Sequence, residues 1–250
     1  MAADALARET HDASPPTLVG TAGLVLEAYH DGVIWWPDEK LLVVADLHLE
    51  KGSALAKRGQ LVPPYDTRST LARLAVAIDR LRPHVVIALG DSFHDPGGAR
   101  RLDRVDAAAL AALQFARSWI WIAGNHDPLG TSDLPGDHLG ELVLGPVVFR
   151  HEPSQGPARG EIAGHLHPVA RVYGKGRSVR RRCFAGDGHR LVLPAFGAYT
   201  GGLDVRHEAF AGLFDPATFR AFVLGEGRVY AVGSRALRMA HGKRQCDEPG

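Results

Sequence analysis

Only two cysteines, Cys183 and Cys246, occur in the chain, and their spacing is neither metal-like nor redox-like. That argues against a disulfide-stapled scaffold or a thiolate metal site and fits a reduced, cytoplasmic protein. An excess of one charge is also missing: 29 basic side chains nearly cancel 28 acidic ones, so only local patches can speak for or against a nucleic-acid partner. No apolar run approaches the length that crosses a bilayer, which predicts a soluble protein without a membrane partner. The opening MAADALARETHDASPP has no apolar core leading to a small-residue cleavage site and so does not read as an export signal. Linkers, internal repeats and low-complexity tracts are absent between the polar ends. The expected organisation is a flexible arm over 1–17, one domain over 18–235 and a flexible tail over 236–250.

What is present is a regular alternation. Residues 40–46 (KLLVVAD), 84–91 (HVVIALGD) and 118–127 (SWIWIAGNHD) are short apolar runs that end in polar residues. Between the first two, DTRSTLARLAVAIDRLRP predicts a helix with Leu71, Leu74, Ala75, Ile78 and Leu81 at helical spacing, capped by Asp66 or Thr67 and stopped at Pro83. Between the second and third, DRVDAAALAALQFARS reads as another amphipathic helix. Strand, helix, strand, helix, strand is the pattern of parallel pairing with crossovers. The second half, with LVLGPVVFRHE, GEIAGHLHPVARVYG, RRCFAGDGHRLVLPAF and GRVYAVG between Gly and Pro turns, predicts mostly antiparallel sheet.

In open α/β sheets the ligand sits beyond the carboxyl ends of the strands, where residues that close apolar runs are delivered. Asp46 with His48, Asp91, and Asn125 with His126 close three successive runs. His151 follows the next one, and His165 and His167 follow GEIAG, where small Gly164 lets other groups come close. In an extended strand His165 and His167 would leave the backbone on the same side. A single DxH or GD is most often a loop-capping aspartate, and GHxH alone can be two solvent-facing histidines. Seven N and O donors after five separate runs, with no cysteine, match a site for two divalent metals, and such ligands suit manganese, iron or zinc rather than calcium.

The order DxH, GD, GNH, H, GHxH resembles the calcineurin-like metallophosphoesterases. The resemblance implies an α/β (α+β) four-layer fold of two packed mixed β-sheets flanked by helices. It implies that Asp46, His48 and His167 hold one metal, that Asn125, His151 and His165 hold the other, and that Asp91 bridges them. His126 would be the catalytic histidine beside the leaving group, with Asp127 fixing its tautomer. Two cations about 3.5–4 Å apart need a bridging carboxylate to relieve their repulsion, and they lower the pKa of a shared water towards neutral, giving the hydroxide that hydrolyses a phosphodiester. In GDSFHD, His94 stands where the family often has a second carboxylate, a change that bears on tuning of the site rather than on ligation.

ADLHLEKG, LVPPYDTR and LPAFGAYTGGL carry a narrower likeness, over about residues 18–232, to bacterial ligase-associated DNA damage response endonucleases. That likeness implies a manganese-stimulated phosphodiesterase or nuclease acting on DNA in repair, with a helicase-like protein and a DNA ligase as partners. Phosphatase or phosphodiesterase action on nucleotides or other small substrates is the alternative for the same metal pair, and intact GNHD and GHLH speak against a non-catalytic scaffold of the same fold. Lys51, Lys57 and Arg58 follow the first motif, and Arg171, Lys175, Arg177, Arg180, Arg181 and Arg182 concentrate charge after GHLH, as phosphate contacts or as a solvated hairpin. Lys51, Arg58, Arg180, Arg181 and Arg182 are the expected nucleic-acid-binding residues. Aromatic stacking positions are sparse, with Tyr65, Tyr173 and Tyr199 the candidates. Trp35, Trp36, Trp119 and Trp121 are expected to be buried. His84, His138, His189 and His207 are expected to pack or face water, and Gly201 and Gly202 to form a tight turn near the site mouth.

Overall fold

The run Leu41–Ala45 is buried at every position, because this strand is covered on both faces and its side chains alternate between two cores. Leu41, Val43 and Ala45 join one apolar cluster, Leu42 and Val44 another. A computed structural model describes residues 15–128, 133–174 and 177–237. Of the arm expected over 1–17 and the tail expected over 236–250, residues 1–14 and 238–250 lie outside the described residues, as does Lys175, whereas Thr17 begins the first strand and 236–237 belong to a short helix.

Seven strands form the first sheet in chain order: β1 (Thr17–Thr21), β2 (Leu24–Ala28), β3 (Ile34–Trp36), β4 (Leu41–Ala45), β5 (Val85–Leu89), β6 (Ser118–Ile122) and β7 (Asp137–Leu139). The first four pair antiparallel, and β4 to β7 pair parallel. The expected crossovers are present as α2 (Asp66–Leu81) and α3 (Arg104–Gln114). Leu71, Leu74 and Ile78 of α2 and Leu110 of α3 pack with Leu42, Val44, Val86, Ala88, Trp119 and Trp121, covering the outer face of the sheet. Asp103 caps α3 by accepting from the Val105 and Asp106 N–H groups. The capping expected of Asp66 or Thr67 does not occur. Asp66 accepts instead from the N–H of Gly52 (3.0 Å), in the short helix α1 (Lys51–Lys57), and the Thr67 hydroxyl meets the Glu50 carboxylate (3.0 Å).

The second sheet runs β15 (Val229–Gly233), β14 (Arg220–Leu224), β12 (Arg177–Gly186), β13 (Arg190–Val192), β10 (Glu161–Ala163), β9 (Val147–Arg150) and β8 (Glu141–Leu144), with β11 (Val169–Gly174) paired to β12. It is mostly antiparallel, as expected for this half, with one departure: β10 is parallel to both β9 and β13. Strands of three or four residues carry too little periodicity to announce a parallel pair, and no intervening helix marks the crossover. Val147, Phe149, Ile162, Phe184 and Leu191 face Leu41, Val43, Ile87, Leu89 and Ile122 across the inter-sheet core. The far face of the second sheet is covered by Val205, Phe210, Leu213 and Leu237 of the one-turn α4 (Ser234–Leu237). Two mixed sheets with helices outside are thus observed, with the fourth layer built mostly of irregular chain. All four tryptophans are buried, and His84, His138, His189 and His207 are exposed.

Candidate metal centre

Every expected ligand lies just past a strand end, where both sheets open at the same edge. Asp46 and His48 follow β4, Asp91 follows β5, Asn125 follows β6, His151 follows β9, and His165 and His167 follow β10. Asp46 (φ 54°), His48 (φ 44°), Asp91 (φ 44°), His165 (φ 67°) and His167 (φ 45°) all sit in the left-handed region, which side chains other than glycine adopt at a cost. The two histidines of GHLH are therefore in a turn and not in the extended strand expected for them. Beyond the strands the loops keep pairing: the His48 and Leu49 N–H groups donate to the Asp91 and Ser92 carbonyls (both 2.9 Å). Such closely held backbone can sustain the strain at several neighbouring residues.

The side chains converge in two groups, Asp46 with His48 and His167, and Asp91 with His151 and His165, each with ligand atoms within 4.8 Å of one another. Asp91 joins them. Its Oδ2 is 3.4 Å from His151 Nε2 and 3.9 Å from His48 Nε2. Asn125 Oδ1 lies 2.9 Å from His151 Nε2, so it belongs with the second group. His48 Nε2 is 3.3 Å from His167 Nε2, which in turn is 3.3 Å from Asp46 Oδ1. The backbone comes equally close. A Cβ on Gly164 would stand 2.6 Å from Asp46 Oδ2, and one on Gly124 would overlap the Asp91 backbone.

This donor set suits cations. His151 Nδ1 faces the Leu89 carbonyl (3.2 Å), which can only accept, so Nδ1 carries a proton and Nε2 remains the ligand atom. That nitrogen then faces Asn125 Oδ1 (2.9 Å), Asp91 Oδ2 (3.4 Å) and His165 Nδ1 (3.1 Å), a gathering of lone pairs that a cation can serve. In the metal-free protein a proton takes that place. Burial opposes it, but the hydrogen bond to Asp91 and the charge of Asp46 raise His151 to about 9. For Asp91, burial would favour the neutral acid, yet His151 and the His126 N–H hold it down to about 2. His48 falls to about 3 through burial and then the neighbouring His167. His48, and His165 likewise lowered by burial and then by His151, stay neutral and ready to ligate, whereas His151 holds a proton that a cation would displace. Mixed imidazole, carboxylate and amide donors fit two divalent metals.

His126 stands at the edge of this cluster, its backbone N–H donating to Asp91 Oδ1 (2.9 Å) and its Nε2 3.9 Å from Asp91 Oδ2. Asp127 does not fix its ring. Asp127 Oδ2 accepts from the Phe93 N–H (2.8 Å), and burial, aided by the Asp91 charge, raises its carboxyl to about 7. The partner of His126 Nδ1 is the carbonyl of His94 (3.0 Å), a backbone group that no side-chain motif could reveal. The His94 ring stacks on His126 (centroids 5.2 Å, 23° between planes) and reaches His48 Nδ1 (3.4 Å). Burial and then the charges of Lys51, His126 and Arg58 lower the His94 pKa, which places Lys51 and Arg58 near this edge. Among the arginines of β12, Arg182 turns in to the Ala195 carbonyl (2.8 Å), Arg180 reaches the Gly202 carbonyl (2.5 Å), and Arg181 is exposed. Gly202 packs closely against the His167 carbonyl, but the tight turn expected at Gly201 and Gly202 is not there, the turn lying at 198–199 instead.

A buried pair that sequence reasoning missed supports the second group. Arg190, fully buried, bonds to Glu161 and to the carbonyls of Ser154, Gly156 and Leu213. Glu161 also accepts from the Ser154 N–H (3.0 Å), so the chain after His151 is tied to the strand that leads to His165. The only trace in sequence is a charge at each of two otherwise apolar strands, Glu161 in GEIA and Arg190 in HRLVL.

A family model described as calcineurin-like phosphoesterase matches residues 39–189, more than half of the chain. Among solved structures, the crystal structure of Pseudomonas putida nuclease MPE is similar with a TM-score of 0.68 and 28% sequence identity, over 87% of this chain and 100% of that one. No curated protein matches. The motif order, the sheet-edge position of the seven donors and the family match agree, and the chain belongs to the calcineurin-like phosphoesterase family.

Proposed function

We propose that the protein is a two-metal phosphodiesterase that cleaves nucleic acid, with DNA as substrate, manganese as the working metal and DNA repair as the setting. The observation that carries this reading is the pair of donor groups joined by Asp91 with His126 beside them. The nuclease neighbour and the motif resemblance support the choice of a polynucleotide. When bound, the two cations supply positive charge for the phosphoryl oxygens and an activated water. Asp46, His48 and His167 would hold one, Asn125, His151 and His165 the other, and Asp91 both.

The chain's own groups do the rest. The His94 carbonyl keeps the proton of neutral His126 on Nδ1, so Nε2 points toward the cluster. In its protonated form that nitrogen donates to the phosphoryl group and delivers the proton to the departing oxygen. The N–H of His126 on Asp91 Oδ1 fixes the distance between the proton donor and the carboxylate that joins the two groups. Helicase-like and ligase partners and a cytoplasmic location belong to the same reading and rest on the motif resemblance and the cysteine pattern.

The test is a panel of DNA, RNA and small phosphodiesters, each with manganese, magnesium and zinc. Manganese-dependent cleavage of DNA is expected. Turnover confined to a cyclic nucleotide or a phosphomonoester would replace the reading with a small-substrate one.

A further inference from the structure

The segment after β13 and the connection between α1 and α2 meet beside the metal centre. The Phe196 N–H donates to the Ala45 carbonyl (2.8 Å) and the Gly197 N–H to that of Asp46 (3.1 Å), which attaches this segment to the strand end carrying a ligand. Two residues on, the Tyr199 hydroxyl donates to the Pro63 carbonyl (2.9 Å). The Tyr65 N–H donates to the same carbonyl (2.9 Å), so two tyrosines from different loops share one anchor. Their faces are uncovered: Tyr199 is 38% exposed, Tyr65 61% and Leu61 89%. Apolar surface gathered at one rim of a catalytic cleft marks a contact surface.

The charges beside it have matching sense. Lys51 opens α1 and Arg58 follows it, on the chain that leaves the first ligand pair and leads to Pro63, and both are near enough for their charge to be felt at His94. The rim thus brings cations and exposed aromatic rings together on neighbouring stretches of chain. A nucleic-acid strand carries the matching pair, anionic phosphate and planar base. A ring pinned through its hydroxyl also has little rotamer freedom left to lose on stacking.

We propose that Tyr199, with Tyr65 and Leu61 beside it, forms a nucleobase-stacking subsite for the nucleotide adjoining the phosphodiester that is cleaved, an inference that rests on the nucleic-acid reading above. Stacking on a tyrosine face accepts any base, so the subsite confers selectivity for nucleotides without sequence preference.

The test compares manganese-dependent hydrolysis of thymidine 3′- and 5′-p-nitrophenyl phosphates with that of methyl p-nitrophenyl phosphate, which has no base. Wild-type protein should favour at least one thymidine ester by about tenfold in kcat/KM, the scale of one base–aromatic stack. Tyr199→Ala should bring that ratio close to one, mainly through KM, and Tyr65→Ala should lower it in the same direction. Tyr199→Phe, which keeps the ring and loses the bond to Pro63, should keep most of it. A purely structural tyrosine would instead leave the Phe and Ala variants equally impaired on all three esters, with the ratio unchanged. An unchanged ratio in both alanine variants, or an equal fall on all substrates, overturns the subsite. Wild-type hydrolysis without preference overturns the subsite and leaves the phosphodiesterase standing, and failure to hydrolyse any of the esters overturns both.

Discussion

Asp46, Asp91 and Asn125 arrive from three neighbouring parallel strands joined by α2 and α3, and their register is set by apolar runs buried on both faces. His151, His165 and His167 arrive from strands of three or four residues with no helix between them. In the first region burial on both faces, with backbone bonds continuing past the strands, fixes the strand ends. In the second, where short strands bury less, a buried ion pair and its carbonyl partners do the fixing. One half of the site is held by its core and the other by polar bonds, and Asp91 is the joint between them.

Removing that joint should have the largest effect. Asp91→Ala is expected to cut turnover by about a thousandfold or more, roughly 4 kcal/mol of barrier. Metal analysis should then find fewer than two ions per chain, and full retention of both would mean that Asp91 is not shared. Next comes Arg190→Met, which leaves Glu161 buried without its partner and should cost about 3–5 kcal/mol in denaturant unfolding. The ion at His151 and His165 should weaken first, and equal loss of both ions would erase the contrast between the halves.

His126→Ala should lower kcat by about 10²–10⁴-fold, the range of a positioned proton donor. Metal content should stay at two, because the side chain lies beside His48 and Asp91 without being one of the expected donors. Full activity in this variant would remove His126 from the chemistry. The smallest effect is expected at the basic hairpin. Arg181→Glu should weaken DNA binding and reduce the salt slope by about one, as loss of a single phosphate contact does. Arg182→Glu should instead loosen the Ala195 segment that Arg182 holds. Equal salt slopes for wild type and Arg181→Glu would make the hairpin a solvated face.

The contrast also explains what could be read from the chain. β4, β5 and β6 were legible because a strand covered on both faces must be apolar throughout, and the polar residue that ends it stands out. The convergence of the seven expected donors at one edge was legible from their place after apolar runs. Parallel pairing of β9, β10 and β13 was hidden, since three residues fit either orientation. The left-handed conformation of His165 and His167 was hidden too, because nothing in the histidine side chain calls for it. The exchange of Asp127 for the His94 carbonyl at His126 Nδ1 turns on backbone direction, and GNHD offers a nearer but wrongly aimed carboxylate. Asp66 and Thr67 likewise met the composition of a helix cap while their side chains served the Glu50 loop.

The most direct measurement is a manganese titration of chelator-stripped protein, read by calorimetry with electron paramagnetic resonance on the same samples. Two ions per chain with a spin-coupled signal are expected, the coupling lost in Asp91→Ala. Saturation at one ion with full phosphodiesterase activity, or two ions that never couple, would contradict a centre in which Asp91 joins the halves.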